Sequence, residues 1–211
     1  MQKLILQLIY SFFVRWFLKI IVGVRFTIPK FLINEKQFII VANHNSHLDT
    51  LSILAAVPSK IIHKIKPVAA SDHFGRTRLK EKLSNYFVNT LLIQRGRDQV
   101  NPENDPINKM LKAIDEGYSL ILFPEGTRGK PEEEAPLKKG IGIILSQRPE
   151  IKFIPAYMKG MGKAMPKDDS LIVPFNSSLT FGKPTKILSK DVVQIVEQIK
   201  INFDQLKEKT I

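Results

Sequence analysis

His44 is followed five residues later by Asp49 in the run Ala-Asn-His-Asn-Ser-His-Leu-Asp-Thr, residues 42–50. None of the other three histidines has an aspartate at that spacing. A carboxylate that accepts from one imidazole nitrogen fixes the tautomer. It also stabilises the imidazolium once the other nitrogen has taken a proton. Such a pair deprotonates a hydroxyl without a protein nucleophile, and general-base help is worth roughly 10²–10⁴ in rate. The same residues admit plainer readings. Ser46-x-x-Asp49 has the form of a capping box, in which the carboxylate only satisfies backbone amides at a helix start. His47 beside His44 and Asp49 also suggests a metal, although no further ligands stand at familiar spacing. Ser46 as a nucleophile lacks the Gly-x-Ser-x-Gly elbow and is better used as a cap.

A second chemical group is Phe123-Pro-Glu-Gly-Thr-Arg128. Glu125 and Arg128, three residues apart on a Pro/Gly turn, can hold a polyol and its phosphate, Arg128 supplying a bidentate fork. The plain alternative is a structural turn with an internal ion pair.

Both groups need a scaffold that brings them to one place. Short apolar runs at 37–43, 68–70, 91–93, 119–123, 153–157 and 178–181 read as buried strands. Helical stretches lie between them at about 46–56, 76–89, 105–116 and 137–146, and residues 191–207 read as a closing helix with Val192, Ile195, Ile199, Phe203 and Leu206 on one face. This alternation predicts an α/β fold: a mixed, largely parallel sheet flanked by helices. The His44 and Glu125 groups both follow a strand, so both are expected at the carboxyl edge of the sheet, where sites form in such folds. Residues 132–134, three glutamates with flanking prolines, read as a solvated loop.

The segment 3–24 is different. Lys3, Gln7, Ser11, Arg15 and Lys19 recur every four residues, with almost everything between them apolar. On an α-helix this polar stripe drifts about 40° per turn, and Leu6, Ile9, Phe13, Trp16, Phe17 and Ile20 form a broad apolar surface. No small-residue cleavage site follows the apolar run, as a secretory signal requires. Arg15 and Lys19 interrupt the roughly 20 apolar residues of a spanning helix. An amphipathic helix at a membrane interface, with its cations near headgroups, fits best; packing on the protein's own core is the alternative. The expected organisation is an N-terminal membrane-associating segment, 1–34, and one domain, 35–211.

Composition narrows the partners. The 211 residues include 32 Lys plus Arg against 20 Asp plus Glu, a net charge of +12, and 44% are hydrophobic. The chain is too apolar for a disordered basic tail and long enough for a real core. With no cysteine, thiolate zinc sites, disulfides and thiol nucleophiles are excluded together. The charge calls for an anionic partner: nucleic acid, an acidic membrane or a phosphorylated substrate. No recognition-helix, zinc-finger or single-strand-binding signature is present, so nucleic acid is not expected. Residues 60–97 hold nine cations against two acids, a segment suited to anionic headgroups.

With these residues in view, the sequence resembles the glycerolipid acyltransferases of the 1-acylglycerol-3-phosphate type. Asn43-His44 through Asp49 looks like the family's His-x4-Asp block, Leu91-Leu-Ile-Gln-Arg95-Gly96 like its second, Phe123–Arg128 like its third and Phe153-Ile-Pro155-Ala like its fourth. Lys139-Gly140-Ile-Gly142 and Leu179-Thr-Phe-Gly182-Lys-Pro184 agree with weaker features, so the resemblance covers roughly residues 35–188. There are departures. Asn89 stands where the second block usually opens with glycine, Leu92 where an aromatic often stands, and residues 69–74 lack a lysine common there.

The resemblance implies an acyltransferase in which His44 takes the proton from a lysophospholipid hydroxyl, Asp49 orients His44, and no acyl-enzyme forms. It places Arg95, Glu125, Gly126, Thr127 and Arg128 around the acceptor's glycerol-phosphate. The implied acceptor is 1-acylglycerol 3-phosphate, giving phosphatidic acid; glycerol 3-phosphate, a lyso-aminolipid, or a catalytically inactive membrane-binding role are the alternatives. The implied donor is acyl-CoA or acyl carrier protein, with no cofactor or metal. The expected partner surface is membrane phospholipid, the protein peripheral or monotopic at the cytoplasmic face of the cell membrane.

Overall fold

The structure is a computed structural model that describes residues 1–71, 78–96, 101–129, 135–166 and 171–210. Strand β2 (Phe38–Ala42) lies at its centre, with all five residues buried. Phe38, Ile40 and Ala42 enter one core cluster, while Ile39 and Val41 enter a second on the opposite face. That split follows from the two-residue period of a strand, and a strand covered on both faces needs apolar residues throughout.

Among the described residues, six further strands join the sheet: β1 (Val24–Phe26), β3 (Ile65–Ala70), β4 (Leu91–Ile93), β5 (Ser119–Leu122), β6 (Lys152–Lys159) and β7 (Ser177–Phe181). Their order is β1-β7-β6-β2-β5-β3-β4. Neighbours are parallel except β6 and β7, which run antiparallel. The expected mixed, largely parallel sheet is therefore the observed one. At the antiparallel join, Gly182 lies against Pro155, and a Cβ there would meet the proline ring at 2.7 Å.

Helix α1 spans Gln2–Val22 and, among the described residues, is long and apolar enough to cross a membrane by length and composition. It is followed by α2 (Asp49–Ala56), α3 (Arg78–Val88), α4 (Pro106–Asp115), α5 (Gly140–Gln147), the short α6 (Met161–Ala164) and α7 (Val192–Lys209). Sequence explains several boundaries. Asp105 caps α4 by accepting from Ile107 N at 2.9 Å and Asn108 N at 3.2 Å, with Pro106 in the first turn. Asp191 caps α7 in the same manner through Gln194 N. α2 starts at Asp49, three residues later than its sequence pattern suggests, because the polar groups before it are committed to the site described below.

α1 and α2 cover one face of the sheet, and α4, α5 and α7 cover the other. Leu6, Tyr10, Leu18 and Val22 of α1 belong to the first core, and β1 joins the sheet edge through β7. The N-terminal segment thus shares its core with the rest of the chain. The three glutamates at 132–134, Arg76 and Arg97 lie outside the described residues.

Candidate active site

β2 delivers His44 to the carboxyl edge of the sheet through Asn43. The Asn43 side chain donates to Met158 O and accepts from Met158 N, both at 2.8 Å. It continues the pairing between β2 and β6 one residue beyond the strand, and the next residue leaves the sheet.

That residue is His44, with its side chain 20% exposed. Its Nδ1 lies 2.9 Å from Asp49 Oδ2, whose side chain is fully buried. The same oxygen accepts from the backbone amides of Asn45 (2.7 Å) and Ser46 (2.8 Å). Asp49 therefore orients the imidazole and closes the turn before α2 with one carboxylate. Ser46 is occupied elsewhere: its hydroxyl donates to Met165 O at 2.7 Å and accepts from Leu48 N at 3.1 Å.

The second motif grips His44 from the other side. β5 ends at Leu122, and the turn that follows lies against the histidine at every level. The Phe123 ring stacks on the imidazole, centroids 4.1 Å apart and planes 19° from parallel. Glu125 Oε1 accepts from His44 N at 3.1 Å, and Gly129 N donates to His44 O at 2.9 Å. His44 is thus held by both backbone groups, its ring face and its Nδ1, leaving Nε2 as the nitrogen for a proton. Glu125 is buried at 6% exposure, so its carboxylate braces the histidine besides lying beside it.

Gly126 makes that turn possible. Its φ of +75° is left-handed, and a Cβ would fall 2.5 Å from Lys138 Nζ. The Lys138 stem crosses the turn there, anchored by Lys138 N donating to Pro124 O at 2.8 Å. Thr127 is exposed and Arg128 partly exposed on the same rim. The Arg128 guanidinium contacts both ring nitrogens of His47, which joins the two motifs a second time.

Arg95 lies in an exposed turn after β4. β4 is three strands from β2 in the sheet, about 14 Å at the usual spacing. Because β2, β5, β3 and β4 are mutually parallel, Arg95 leaves the sheet on the same edge as His44 and Arg128. The structure thus brings His44, Asp49, Glu125 and Arg128 together and sets Arg95 further along the same rim. Among the described residues, no group of three or more His, Asp or Glu side chains gathers as metal ligands.

Sequence reasoning assigned no role to Phe123, Asn43 or Gly129, and it did not foresee the pairing of His47 with Arg128. Phe123 had a usable signal: it is the first residue past β5, on the edge where His44 follows β2. The others depend on contacts between loops far apart in the chain.

The geometry can be set beside known proteins. The family model described as Acyltransferase matches residues 23–159. Tafazzin of Drosophila melanogaster is 27% identical over 150 residues, covering 68% of this chain and 39% of that protein. The 1-acyl-sn-glycerol-3-phosphate acyltransferase beta of Homo sapiens is 26% identical over 156 residues, covering 70% of this chain and half of that protein, 50%. The chain thus spans between about a third and a little over half of the length of the curated relatives it matches. The crystal structure of the 1-acyl-sn-glycerophosphate acyltransferase PlsC from Thermotoga maritima superposes with a TM-score of 0.64 at 21% identity. The match covers 87% of this chain and 71% of that one, a likeness of fold.

Proposed function

The chain belongs to the Acyltransferase family, and on that premise we propose that it moves a fatty acyl group from a thioester donor to the free hydroxyl of a lysophospholipid. The acceptor that suits it best is 1-acylglycerol 3-phosphate, with phosphatidic acid as product. The observation that carries this reading is the His44–Asp49 pair at 2.9 Å, standing beside an arginine on the adjoining turn.

His44 Nε2 takes the hydroxyl proton as the oxygen attacks the thioester carbonyl. Asp49 stabilises the imidazolium, and the proton passes to the departing thiolate when the tetrahedral intermediate collapses. The new ester bond forms as the C–S bond breaks, and no acyl group is attached to the protein. Arg128 suits the acceptor's phosphate by charge-assisted hydrogen bonds, and Arg95, Gly126 and Thr127 line the same rim. The donor, acyl-CoA or acyl carrier protein, is itself anionic and complements a chain of net charge +12.

The reaction takes place at a phospholipid surface, on the cytoplasmic face of the cell membrane. Support comes from the outer side of α1, where Leu4, Leu8, Phe12, Phe13, Trp16 and Ile20 are exposed. A row of this kind has no favourable place in water and fits the headgroup–acyl boundary. The deciding experiment supplies lysophosphatidic acid and labelled acyl-CoA or acyl carrier protein in vesicles and compares the protein with His44→Ala. Transfer that depends on His44 is expected. Absence of transfer with every lyso-acceptor, or full transfer by the variant, refutes the reading.

A further inference from the structure

The middle of the polar stripe of α1 points inward. Lys3 and Lys19 are exposed, but Gln7 and Arg15 between them, with Gln2 at the helix start, end on backbone carbonyls of the domain. Gln2 Nε2 donates to Asn85 O at 2.9 Å and Tyr86 O at 3.2 Å, near the end of α3. Gln7 Nε2 donates to Ser59 O at 3.0 Å. Arg15 Nε donates to Ala55 O at 2.8 Å, and its Nη2 reaches Val57 O at 3.5 Å. Ala55 is in the last turn of α2, and Val57 follows it. Carbonyls there have no partner within their own helix, and a cation also meets the negative end of the helix dipole.

The winding of α1 makes this possible. Ile9–Val14 and Phe17–Val22 are π-helical, closing i→i+5 turns that hold more residues than an α-turn. A four-residue step overshoots an α-turn and falls short of the wider π-turn, so mixing the two limits the drift between Gln7 and Arg15.

Arg15 consequently grips the far end of the helix whose first residue is Asp49. α2 has eight residues, about 12 Å of rigid rod at 1.5 Å per residue. One end accepts the Arg15 fork, and the other places the carboxylate that orients His44. We propose that Arg15 is a positioning residue for the His44–Asp49 pair, making α1 part of the active-site scaffold as well as its lipid-facing surface. Its activity arm rests on the acyl-transfer reading; its spectroscopic arm does not.

The test uses the full chain as Arg15→Ala, Arg15→Lys and, separately, Phe12→Ser with Trp16→Ser. Each is assayed for co-sedimentation with anionic phospholipid vesicles, for kcat and KM, and for the imidazole nitrogen resonances of His44 through a pH titration. Arg15→Ala is expected to keep vesicle binding and KM while kcat falls about tenfold to a hundredfold, the scale set by small misplacements of a catalytic group. The His44 resonances shift with it, and Arg15→Lys, which restores one donor, recovers part of both. The outer-face variant is expected to do the reverse, losing vesicle binding with unchanged His44 resonances. Wild-type kcat and unchanged His44 resonances in Arg15→Ala would overturn the proposal. So would an Arg15→Lys variant that folds but recovers neither. If the wild-type protein transfers no acyl group at all, the enzymatic reading falls, while the resonances still decide the role of Arg15.

Discussion

Glu125 Oε1 accepts the backbone amide of His44 at 3.1 Å, across 81 residues of sequence. A carboxylate on one motif thus sets the main chain of the base on the other. Replacing it with alanine strands a half-buried amide, at a stability cost of about 1–3 kcal/mol. We expect Glu125→Ala also to lower kcat by roughly tenfold or more, the scale of a small misplacement of the base, whereas Glu125→Gln, which retains an acceptor oxygen, keeps most of it. Equal losses in both variants, measured as initial rates, would point to the negative charge itself.

Removal of the base is the most direct perturbation. His44→Ala should lose about 10²–10⁴ in rate, the usual worth of general-base help, with some loss of stability because the ring stacks on Phe123 and pairs with the buried Asp49. His44→Gln, which can still donate to Asp49, should keep more of the fold. Asp49→Asn should lose activity and stability together. Its Oδ2 accepts from Asn45 N and Ser46 N as well as facing His44 Nδ1. Thermal melts beside the rate assay separate the two behaviours.

Arg128 is expected to act on binding. Losing a charge-assisted contact of about 1.5–3 kcal/mol should raise the acceptor KM of Arg128→Ala by roughly ten- to a hundredfold. Arg128→Lys should recover part, since the ammonium keeps the charge but not the fork. A neutral lyso-acceptor compared with a phosphorylated one isolates the contribution. If the two substrates suffer equally, the arginine is not reading phosphate.

The lipid-facing row calls for point substitutions in place of a deletion. Leu6, Tyr10, Leu18 and Val22 of α1 lie in the core, so removing the helix would open the domain itself. Phe12→Ser with Trp16→Ser leaves those residues alone. Each exposed side chain of this size contributes up to about 1.5–3 kcal/mol when fully buried in lipid. The pair should therefore reduce vesicle co-sedimentation by well over tenfold without lowering the thermal midpoint.

His63 adds a pH dependence unrelated to catalysis. Burial holds its imidazole below the ordinary histidine value of 6.5, and the positive charges of Lys3 and Lys64 act in the same direction. Its Nδ1 is buried without a hydrogen-bond partner among the described residues. The folded state therefore binds this proton less readily than the unfolded state, so stability is fully present above pH 6.5 and declines as pH falls below it. Thermal midpoints measured across that interval should drop less steeply in His63→Gln than in the wild-type protein.

Much of this arrangement is legible in the residues alone, for local reasons. The run Phe38–Ala42 is apolar enough to be a buried strand, Asp105 before Pro106 announces a helix start, and two motifs that each follow a parallel strand must share one edge of the sheet. β1 was not legible, because Val24–Phe26 is three residues long and forms a strand only through its pairing with β7. The direction of Gln7 and Arg15 on α1 was hidden for a related reason. Whether Arg15 faces lipid headgroups or carbonyl oxygens depends on where another helix ends. The bracing of His44 by Glu125, and the distance of Arg95 along the rim, likewise follow from strand order, which no local pattern encodes.

The position of β1 has a temporal consequence. Among the described residues its strand partner is Ser177–Phe181, so the ribosome must translate about 150 residues beyond Val24 before that edge of the sheet can close. Until then β1 has no β7 to pair with and α1 is held by its contacts with α2 and the first core, and such long-range pairing is the slow kind. A chain stopped short of residue 177 would carry its dyad and its helix with that sheet edge still open.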